Sequence, residues 1–497
     1  MTRTELDPSM PTAPGAHRLA PASVRVLAVL LVGAFVVILN ETALNVALAH
    51  IMADLAIDER TAQWLTTGFM LTMAVVIPVT GWLMERLPTR TVFALAMTLF
   101  SIGTLVAALG WAFPSLLAGR LIQASGTAIM MPLLMTTVME LVPPGRRGRV
   151  MGTISLVISA APAIGPTTSG LILQFLPWRF VFVLVLPIAL AILVVGLRMV
   201  PNLNEPARVR LDGLSVPLAA LGFGGLVYGL SLIGGEAAGW VLDVALGVGA
   251  VSLALFVWRQ LVLQRRDAAL LDLRTFTYPA FATAIGVMAI AMAVLFGTII
   301  ALPLLLQQVL HAEPLFVGLL LLPGALLTGL LGPVVGRLYD RVGPRWLMVP
   351  GSLAVAGSFV LFAQVSVTMP WWQLLCAHLC LSFGLAFMFT PLFTIALGSL
   401  PPHLYGHGSA MVGTVQQVAG AAGTALFVTI MATVAAGQPV GTADEVALAA
   451  GGRAAFLAVG LVWLAGIVAV LFLRKPEETA DEHALAVAEG AAPAGHA

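Results

Sequence analysis

Long apolar runs recur along nearly the whole chain and are separated by short polar connections. A helix of about 20 apolar residues crosses the roughly 30 Å hydrocarbon layer of a membrane, so each run predicts one transmembrane helix. A transmembrane barrel would instead show alternating segments of about ten residues, which the sequence lacks. The fourteen predicted spans are residues 24–49, 60–83, 90–111, 114–138, 147–173, 177–200, 214–234, 240–263, 279–308, 314–336, 345–366, 372–396, 405–434 and 453–474.

The composition also indicates a membrane protein, because 60% of the 497 residues are hydrophobic and only 9% are charged. Soluble proteins carry roughly a quarter charged residues. The sequence shows no nucleotide-binding loop, catalytic triad or metal-ligand spacing, and Cys376 and Cys380 fit as packed small residues. We therefore expect no enzyme activity, no cofactor, no metal and no nucleic-acid partner. Energy would come from an ion gradient or from the gradient of the substrate itself.

The basic residues indicate how the spans are oriented. With the N-terminus in the cytoplasm, all 24 basic residues lie on cytoplasmic segments except Arg60, Arg120, Arg179 and Arg453. Short loops rich in arginine resist translocation, so this bias supports the orientation and an even number of spans. The sequence thus predicts that both termini, residues 1–22 and 476–497, are disordered and cytoplasmic.

Two loops reveal an internal repeat. GWLMERLPTR at 81–90 follows span 2, and GRLYDRVGPR at 336–345 follows span 10. Spans 1–6 and spans 9–14 are therefore expected to be two copies of one unit, with spans 7 and 8 inserted between them. The predicted parts are an N-terminal six-helix bundle, a linker with two inserted helices, and a C-terminal six-helix bundle. Two parallel six-helix repeats suit a transporter that rocks one half against the other. The predicted boundaries of these parts are 23–200, 201–275 and 276–475.

Four motifs in order give the chain a family resemblance: LNETALNVAL at 39–48, the loop at 81–90, LLAGRLIQASG at 116–126 and GTISLVISAAPAIGPTTSG at 152–170. With them the chain resembles the fourteen-span drug:proton antiporters of the major facilitator superfamily, and most of all their lincomycin-resistance branch. The resemblance implies an all-α polytopic membrane protein with a major facilitator fold of 14 transmembrane helices (6 + 2 + 6). It also implies a location in the bacterial plasma membrane. The sequence departs from the family pattern at Ala49, Glu85, Pro88, Ala161 and Ser169.

The two repeated loops are interpreted as a latch between the halves. A carboxylate can bind the positive N-terminal end of a helix. The repeat places Glu85 opposite the start of span 13, near Gly406, and Asp340 opposite the start of span 5, near Gly148. The alternative is that both are solvated loop charges. The predicted latch residues are Gly81, Glu85, Arg86, Arg90, Gly336, Asp340 and Arg341.

Span 5 carries the antiporter motif of the family. Its small residues would leave a groove that lets another helix approach closely, and a proline inside the span permits a kink. The alternative is ordinary helix packing, whereas the resemblance implies a bend that seals one side of the cavity. The motif residues are Gly152, Gly165, Pro166 and Gly170.

Glu41 and Arg120 are the predicted proton-coupling pair. Counted from residue 24 and residue 114 respectively, they lie roughly 25 Å and roughly 9 Å into their spans, which places them at similar depths. Charges inside a span are costly and mark functional sites. The alternative is a fixed ion pair that only holds the helices together. His378 and Glu140 are the next candidates for proton coupling.

Further residues are predicted to line the substrate cavity because methionine, aromatic and amide side chains suit adaptable binding inside a membrane. Routine packing is the alternative for each of them. They are Asn40, Asn45, Trp64, Met70, Gln123, Phe296, His378, Gln416 and Gln417.

The sequence thus predicts a monomeric, proton-coupled antiporter that exports lipophilic drugs or natural products by alternating access, with cationic compounds among its candidate substrates. Its partners would be the substrate, protons and membrane lipids. A lipid exporter and a proton-coupled importer of the same fold remain alternatives. A receptor or an intramembrane enzyme would lack both the repeat and the paired loops.

Overall fold

The computed structural model describes residues 20–204, 206, 211–233, 239–439 and 441–474. Helices and their connections make up this part of the chain, and it contains no strand. Most of the two predicted disordered termini lies outside the described residues, although α1 already begins at Pro21. The helices are α1 (Pro21–Leu55), α2 (Glu59–Arg86), α3 (Thr89–Ala108), α4 (Phe113–Leu141), α5 (Arg147–Phe175), α6 (Phe180–Met199), α7 (Ser215–Ala219), α8 (Gly225–Ser231), α9 (Gly239–Leu263), α10 (Pro279–Gln308), α11 (Pro314–Val342), α12 (Arg345–Phe362), α13 (Trp371–Gly398), α14 (Tyr405–Ala436) and α15 (Asp444–Phe472).

The described helices include 13 that are long and apolar enough to cross a membrane. The predicted seventh span is a shorter apolar rod, Ser215–Ser231, in which α7 and α8 are joined by a π-helical turn at Ala220–Gly224. Counting this rod, the chain has the fourteen segments that the sequence predicted. The all-α fold of a multi-pass membrane protein is confirmed, with a span count of thirteen to fourteen.

The helices form two bundles that repeat the same packing. α1, α3, α4 and α6 pack mainly within the first group of helices, α1 to α6, and α10 and α12 to α15 pack mainly within the second group, α10 to α15. The bundles meet along two helix pairs, α5 with α11 and α2 with α14. Since α2 and α11 are equivalent in the repeat, as are α5 and α14, the two pairs are two copies of one contact.

The inserted rod and α9 pack on each other and lie outside the two bundles. The rod contacts α2 of the first bundle and α14 of the second. It therefore touches both helices of one pair that joins the halves.

We call the end of the molecule at which α1 begins the arginine-rich end, after Arg86, Arg90, Arg146 and Arg149, and the other the opposite end. Successive spans, with the rod counted as one of them, begin at alternate ends. The loops that carry Glu85 and Asp340 both lie at the arginine-rich end.

Candidate functional site

The centre of the first bundle holds a buried guanidinium. Arg120 on α4 is 1% exposed, and its Nη1 donates to Oε1 of Gln123 at 2.6 Å and to Oδ1 of Asn40 at 3.5 Å. The guanidinium lies over the ring of Phe69 on α2, 4.1 Å from the ring centroid. Three helices, α1, α2 and α4, therefore surround the charge.

A second layer of contacts holds Gln123 in place. Its Nε2 donates to Oγ1 of Thr104 on α3 at 2.8 Å, and Gln123 is fully buried. Hydrogen-bonding capacity nevertheless remains, because Nε of Arg120 and Nδ2 of Asn40 have no partner among the described residues. Unpartnered donors in a buried site cost free energy unless an acceptor reaches them. Arg120 and Asn40 can therefore donate hydrogen bonds to one further acceptor, such as an oxygen of a substrate.

Glu41 follows Asn40 on α1 and is partly buried. Its charge interacts with that of Arg120, yet the described contacts include no hydrogen bond or ion pair between them. Burial disfavours the ionised carboxylate, and a guanidinium nearby favours it. The alternative role for these residues was a fixed Glu41–Arg120 ion pair that only holds the helices together. The described contacts do not include that ion pair.

The structure distributes the other predicted cavity residues of the first bundle unevenly. Met70 follows Phe69 and is partly buried, whereas the side chain of Asn45 lies outside what the structure describes. Trp64 is 40% exposed and stacks on Tyr228 of α8, with ring centroids 5.7 Å apart. Trp64 therefore packs against the inserted rod and does not join the group around Arg120.

The second bundle contributes amides whose hydrogen bonds are weak. Nε2 of Gln416 lies 3.7 Å from Sδ of Met288, and Nε2 of Gln417 lies 3.6 Å from Sδ of Met73 in the other half. A thioether is a weak acceptor, so both amides remain available for a stronger partner. Phe296 on α10 packs against Gly420 on α14, the helix that carries both glutamines.

His378 occupies the place in α13 that corresponds to Arg120 in α4. Its Nε2 lies 3.3 Å from the carbonyl oxygen of Leu321, and its buried Nδ1 has no partner among the described residues. The ring fills the space beside Gly324. The structure thus gives His378 a backbone contact in α11 and leaves it outside the described contacts of Glu41.

Asp340 binds the start of α5. Its Oδ1 accepts the backbone N–H of Gly148 at 3.0 Å, and its Oδ2 accepts that of Arg149 at 2.8 Å. The first N–H groups of a helix have no partner within the helix and carry its positive end, so a carboxylate there is doubly favoured. A side chain on Gly148 would collide with Asp340 and with the backbone of Gly336. The internal repeat of the sequence had predicted that Asp340 lies near Gly148, and the structure has this contact.

Glu85 makes a different contact on the equivalent helix. Its Oε2 lies 3.3 Å from Nε2 of His407, the residue after Gly406 on α14. The ring of His407 is packed against Gly81, where a Cβ would lie 2.8 Å from its Nδ1. A side chain, and not the helix N-terminus, therefore receives Glu85.

The arginines of the two loops are solvent-facing. The side chains of Arg86, Arg90 and Arg341 are exposed. The backbone N–H of Arg90 donates to Oδ1 of Asn202 at 3.3 Å, which connects the loop to the segment after α6. The loop carboxylates Glu85 and Asp340 each make a polar contact with the other half.

The antiporter motif on α5 faces two different helices. A side chain on Gly152 would collide with the backbone of Gly332 on α11, and one on Gly165 would collide with Thr42 on α1. Gly170 faces open space. α5 remains a single helix through Pro166. The groove expected from the sequence is therefore present at Gly152 and Gly165.

Sequence reasoning missed several contacts that join the halves near the arginine-rich end. Oγ1 of Thr136 donates to Oγ of Ser409 at 3.0 Å, and Oγ of Ser155 lies 3.1 Å from Oγ1 of Thr390. Single hydroxyl residues in apolar helices give no signal of their partner. His407 had one available signal, because it is the only histidine in the predicted facing segment at the start of span 13.

Comparison with known proteins identifies the family. A family model described as Major Facilitator Superfamily matches residues 30–424. The chain belongs to this superfamily. It is a transporter and not an enzyme. The lincomycin resistance protein LmrB of Bacillus subtilis is 39% identical over 459 residues, which cover 90% of this chain and 95% of that protein. A multidrug resistance protein B homolog of Mycobacterium tuberculosis is 30% identical over 78% of this chain and 72% of its own length.

Solved structures of the superfamily share the fold. The proton:xylose symporter XylE, bound to 6-bromo-6-deoxy-D-glucose, superimposes with a TM-score of 0.65 and 16% identity, covering 94% of this chain and all of that chain. The human organic anion transporter MFSD10 gives a TM-score of 0.63 and covers 91% of this chain. At these identities the likeness concerns the fold alone.

Proposed function

We propose that this transporter exports lipophilic drugs or natural products, with cationic compounds among its candidate substrates, in exchange for protons. The names of its relatives, a lincomycin resistance protein and a multidrug resistance protein homolog, support drug export. On this proposal it acts as a monomer in a bacterial plasma membrane with both termini in the cytoplasm. The arginine-rich end is then the cytoplasmic end.

The observation that carries proton coupling is the relation of Glu41 to Arg120. The guanidinium of Arg120 is buried, and its Nε has no partner among the described residues. The charge of Glu41 interacts with that of Arg120, although the described contacts include no hydrogen bond between them. Ionised Glu41 would attract a lipophilic cation into the cavity. Protonation would remove that attraction and release the cation. Competition between proton and substrate for one carboxylate is sufficient to exchange them.

Alternating access would use the contacts at the arginine-rich end. In this structure Asp340 and Glu85 each connect one half to the other there. Gln417 extends the contact between the halves to the middle of α14, where it meets Met73 on α2. The conformation on this view is closed towards the cytoplasm, and the inward-facing state requires both loop contacts to break.

Transport by the purified protein in lipid vesicles tests the proposal. With an imposed pH gradient, a fluorescent lipophilic cation and lincomycin should each accumulate on the acidic side, and an agent that collapses the gradient should abolish the accumulation. Accumulation on the alkaline side would indicate import with protons. Accumulation that does not respond to the pH gradient would contradict proton-coupled antiport.

A further inference from the structure

The inserted helices are connected to one another by a partly buried polar group. Arg259 on α9 donates from Nε and Nη2 to the two carboxylate oxygens of Asp212, both at 2.6 Å. Asp212 also accepts from Oγ of Ser215 at the start of α7. The hydrogen bonds from Arg259 lower the pKa of Asp212 to about 2, so the pair stays ionised at physiological pH. The beginning of the rod is therefore fixed to the end of α9.

Gln260 extends this group to the chain beyond α9. It is fully buried, and its Nε2 donates to Oγ of Ser215 at 2.8 Å. Its Oε1 accepts the backbone N–H groups of Leu270 at 2.8 Å and Leu271 at 3.3 Å. Both leucines are 1% exposed and belong to the main hydrophobic core. A single amide thus fixes the chain immediately before Asp272.

Asp272 then reaches the latch through its backbone. Its N–H donates to Nδ1 of His407 at 3.4 Å, while its carboxylate accepts from Arg274. Nε2 of His407 faces Glu85 on its other side. A neutral histidine with its proton on Nε2 accepts from Asp272 and donates to Glu85 at the same time. One tautomer in one orientation therefore satisfies both contacts.

We propose that residues 264–278, which we call the strap, let the inserted helices stabilise the closed state of the transporter. The N–H of Asp272 positions His407 so that it donates to Glu85 across the gap between the halves. Opening the arginine-rich end separates α14 from α2 and breaks that hydrogen bond. Without the N–H of Asp272, Nδ1 of His407 loses the described donor that selects the tautomer facing Glu85, and the closed state loses part of its stability relative to the open state.

The two copies of the loop contact differ in a way that supports this role. Asp340 binds backbone N–H groups, which the α5 helix itself holds in place. Glu85 binds a side chain, which needs something else to orient it. The strap ends at α10, in the same half as His407, so it moves with the ring that it positions. The inserted helices are thereby assigned a positioning role in the transport cycle.

A pair of substitutions at one residue isolates the contact. Asp272→Pro removes the backbone N–H and the carboxylate, whereas Asp272→Ala removes only the carboxylate. Asp272 has φ −77°, which proline can adopt. Both variants are made in a background with Cys376→Ala and Cys380→Ala. Spin labels at exposed residues 145 and 403, one in each half at the arginine-rich end, report the distance between the halves.

We expect Asp272→Pro to raise the ratio of open to closed molecules above that of Asp272→Ala by up to about fivefold, which is the shift expected when the Glu85–His407 contact is lost altogether. Equal ratios in the two variants, with both proteins eluting as folded monomers, would overturn the proposal. The inference rests on the latch proposed above, so Glu85→Gln is measured alongside. If Glu85→Gln opens the end and Asp272→Pro does not, the strap is wrong and the latch stands. If Glu85→Gln changes nothing, the latch itself is wrong.

Discussion

Asp340→Asn should open the arginine-rich end more than any equivalent change at Glu85. Asp340 accepts two backbone N–H groups, at 3.0 Å and 2.8 Å, at the positive end of α5. A hydrogen bond to a charged group contributes about 1.5–3 kcal/mol. Asparagine keeps one acceptor oxygen, so the variant loses the charge and one of the two bonds. We expect a loss of about 1.5–2 kcal/mol from the closed state, which multiplies the ratio of open to closed molecules by about 10–30.

Glu85→Gln is the matched comparison because it makes the same chemical change in the other copy of the loop. Glu85 is 35% exposed at its side chain and meets His407 at 3.3 Å. The contact is one long hydrogen bond to a partly exposed carboxylate, and we expect it to contribute about 0.5–1 kcal/mol. The expected shift is therefore at most about fivefold. The structure predicts this order, with the second loop stronger than the first, although the two sequences are nearly symmetric.

The rate at which a cysteine at position 409 reacts with a thiol reagent measures the open fraction. Ser409 is 2% exposed and faces Thr136 across the contact between the halves, so the reagent reaches it only when the end opens. With the orientation proposed above, inside-out membrane vesicles would present the arginine-rich end to the reagent. Equal reaction rates in the two variants, or a faster rate in Glu85→Gln, would refute the assignment of the stronger contact to Asp340.

Two further predictions follow from the packing of α5 and from the orientation. Gly152→Ala should reduce transport at least fivefold, because its Cβ collides with the backbone of Gly332 and overpacking costs about 1–3 kcal/mol, whereas Gly170→Ala, which faces open space, should transport normally. Equal rates in drug-efflux assays of the two variants would contradict the packing argument. A cysteine at exposed residue 437 should react with an impermeant reagent added outside intact cells, and one at exposed residue 145 should react only in inside-out vesicles; the reverse pattern would invert the orientation.

The sequence was sufficient to predict the fold and the contact of Asp340. Long apolar runs and the loop repeat carry that information locally, and a carboxylate opposite a helix start has one favoured partner. The sequence also placed Gln123 on the helix face of Arg120, because residues three apart share a face. It paired Arg120 with Glu41, however, whereas in the structure Arg120 donates to the neighbouring Asn40.

Other parts of the site depended on contacts between residues far apart in the chain. The residues around Gln260 in the sequence do not indicate that it accepts hydrogen bonds from the strap. Its partners are the backbone N–H groups of Leu270 and Leu271, which every residue type except proline has. Trp64 was predicted in the cavity from its residue type, but the position of the inserted rod determines that it stacks on Tyr228. Residue type alone does not reveal which face of a helix another helix covers.

Drug-induced proton release by Glu41→Gln tests the central claim most directly. The wild-type protein, purified in detergent and given a lipophilic cation, should release protons that a pH-sensitive dye detects. Glu41→Gln should fold normally and release no protons, whereas Glu140→Gln, which changes a carboxylate on α4 outside the Arg120 group, should release protons as the wild type does. Undiminished release by Glu41→Gln, together with uphill efflux under a pH gradient, would contradict the assignment of proton coupling to Glu41.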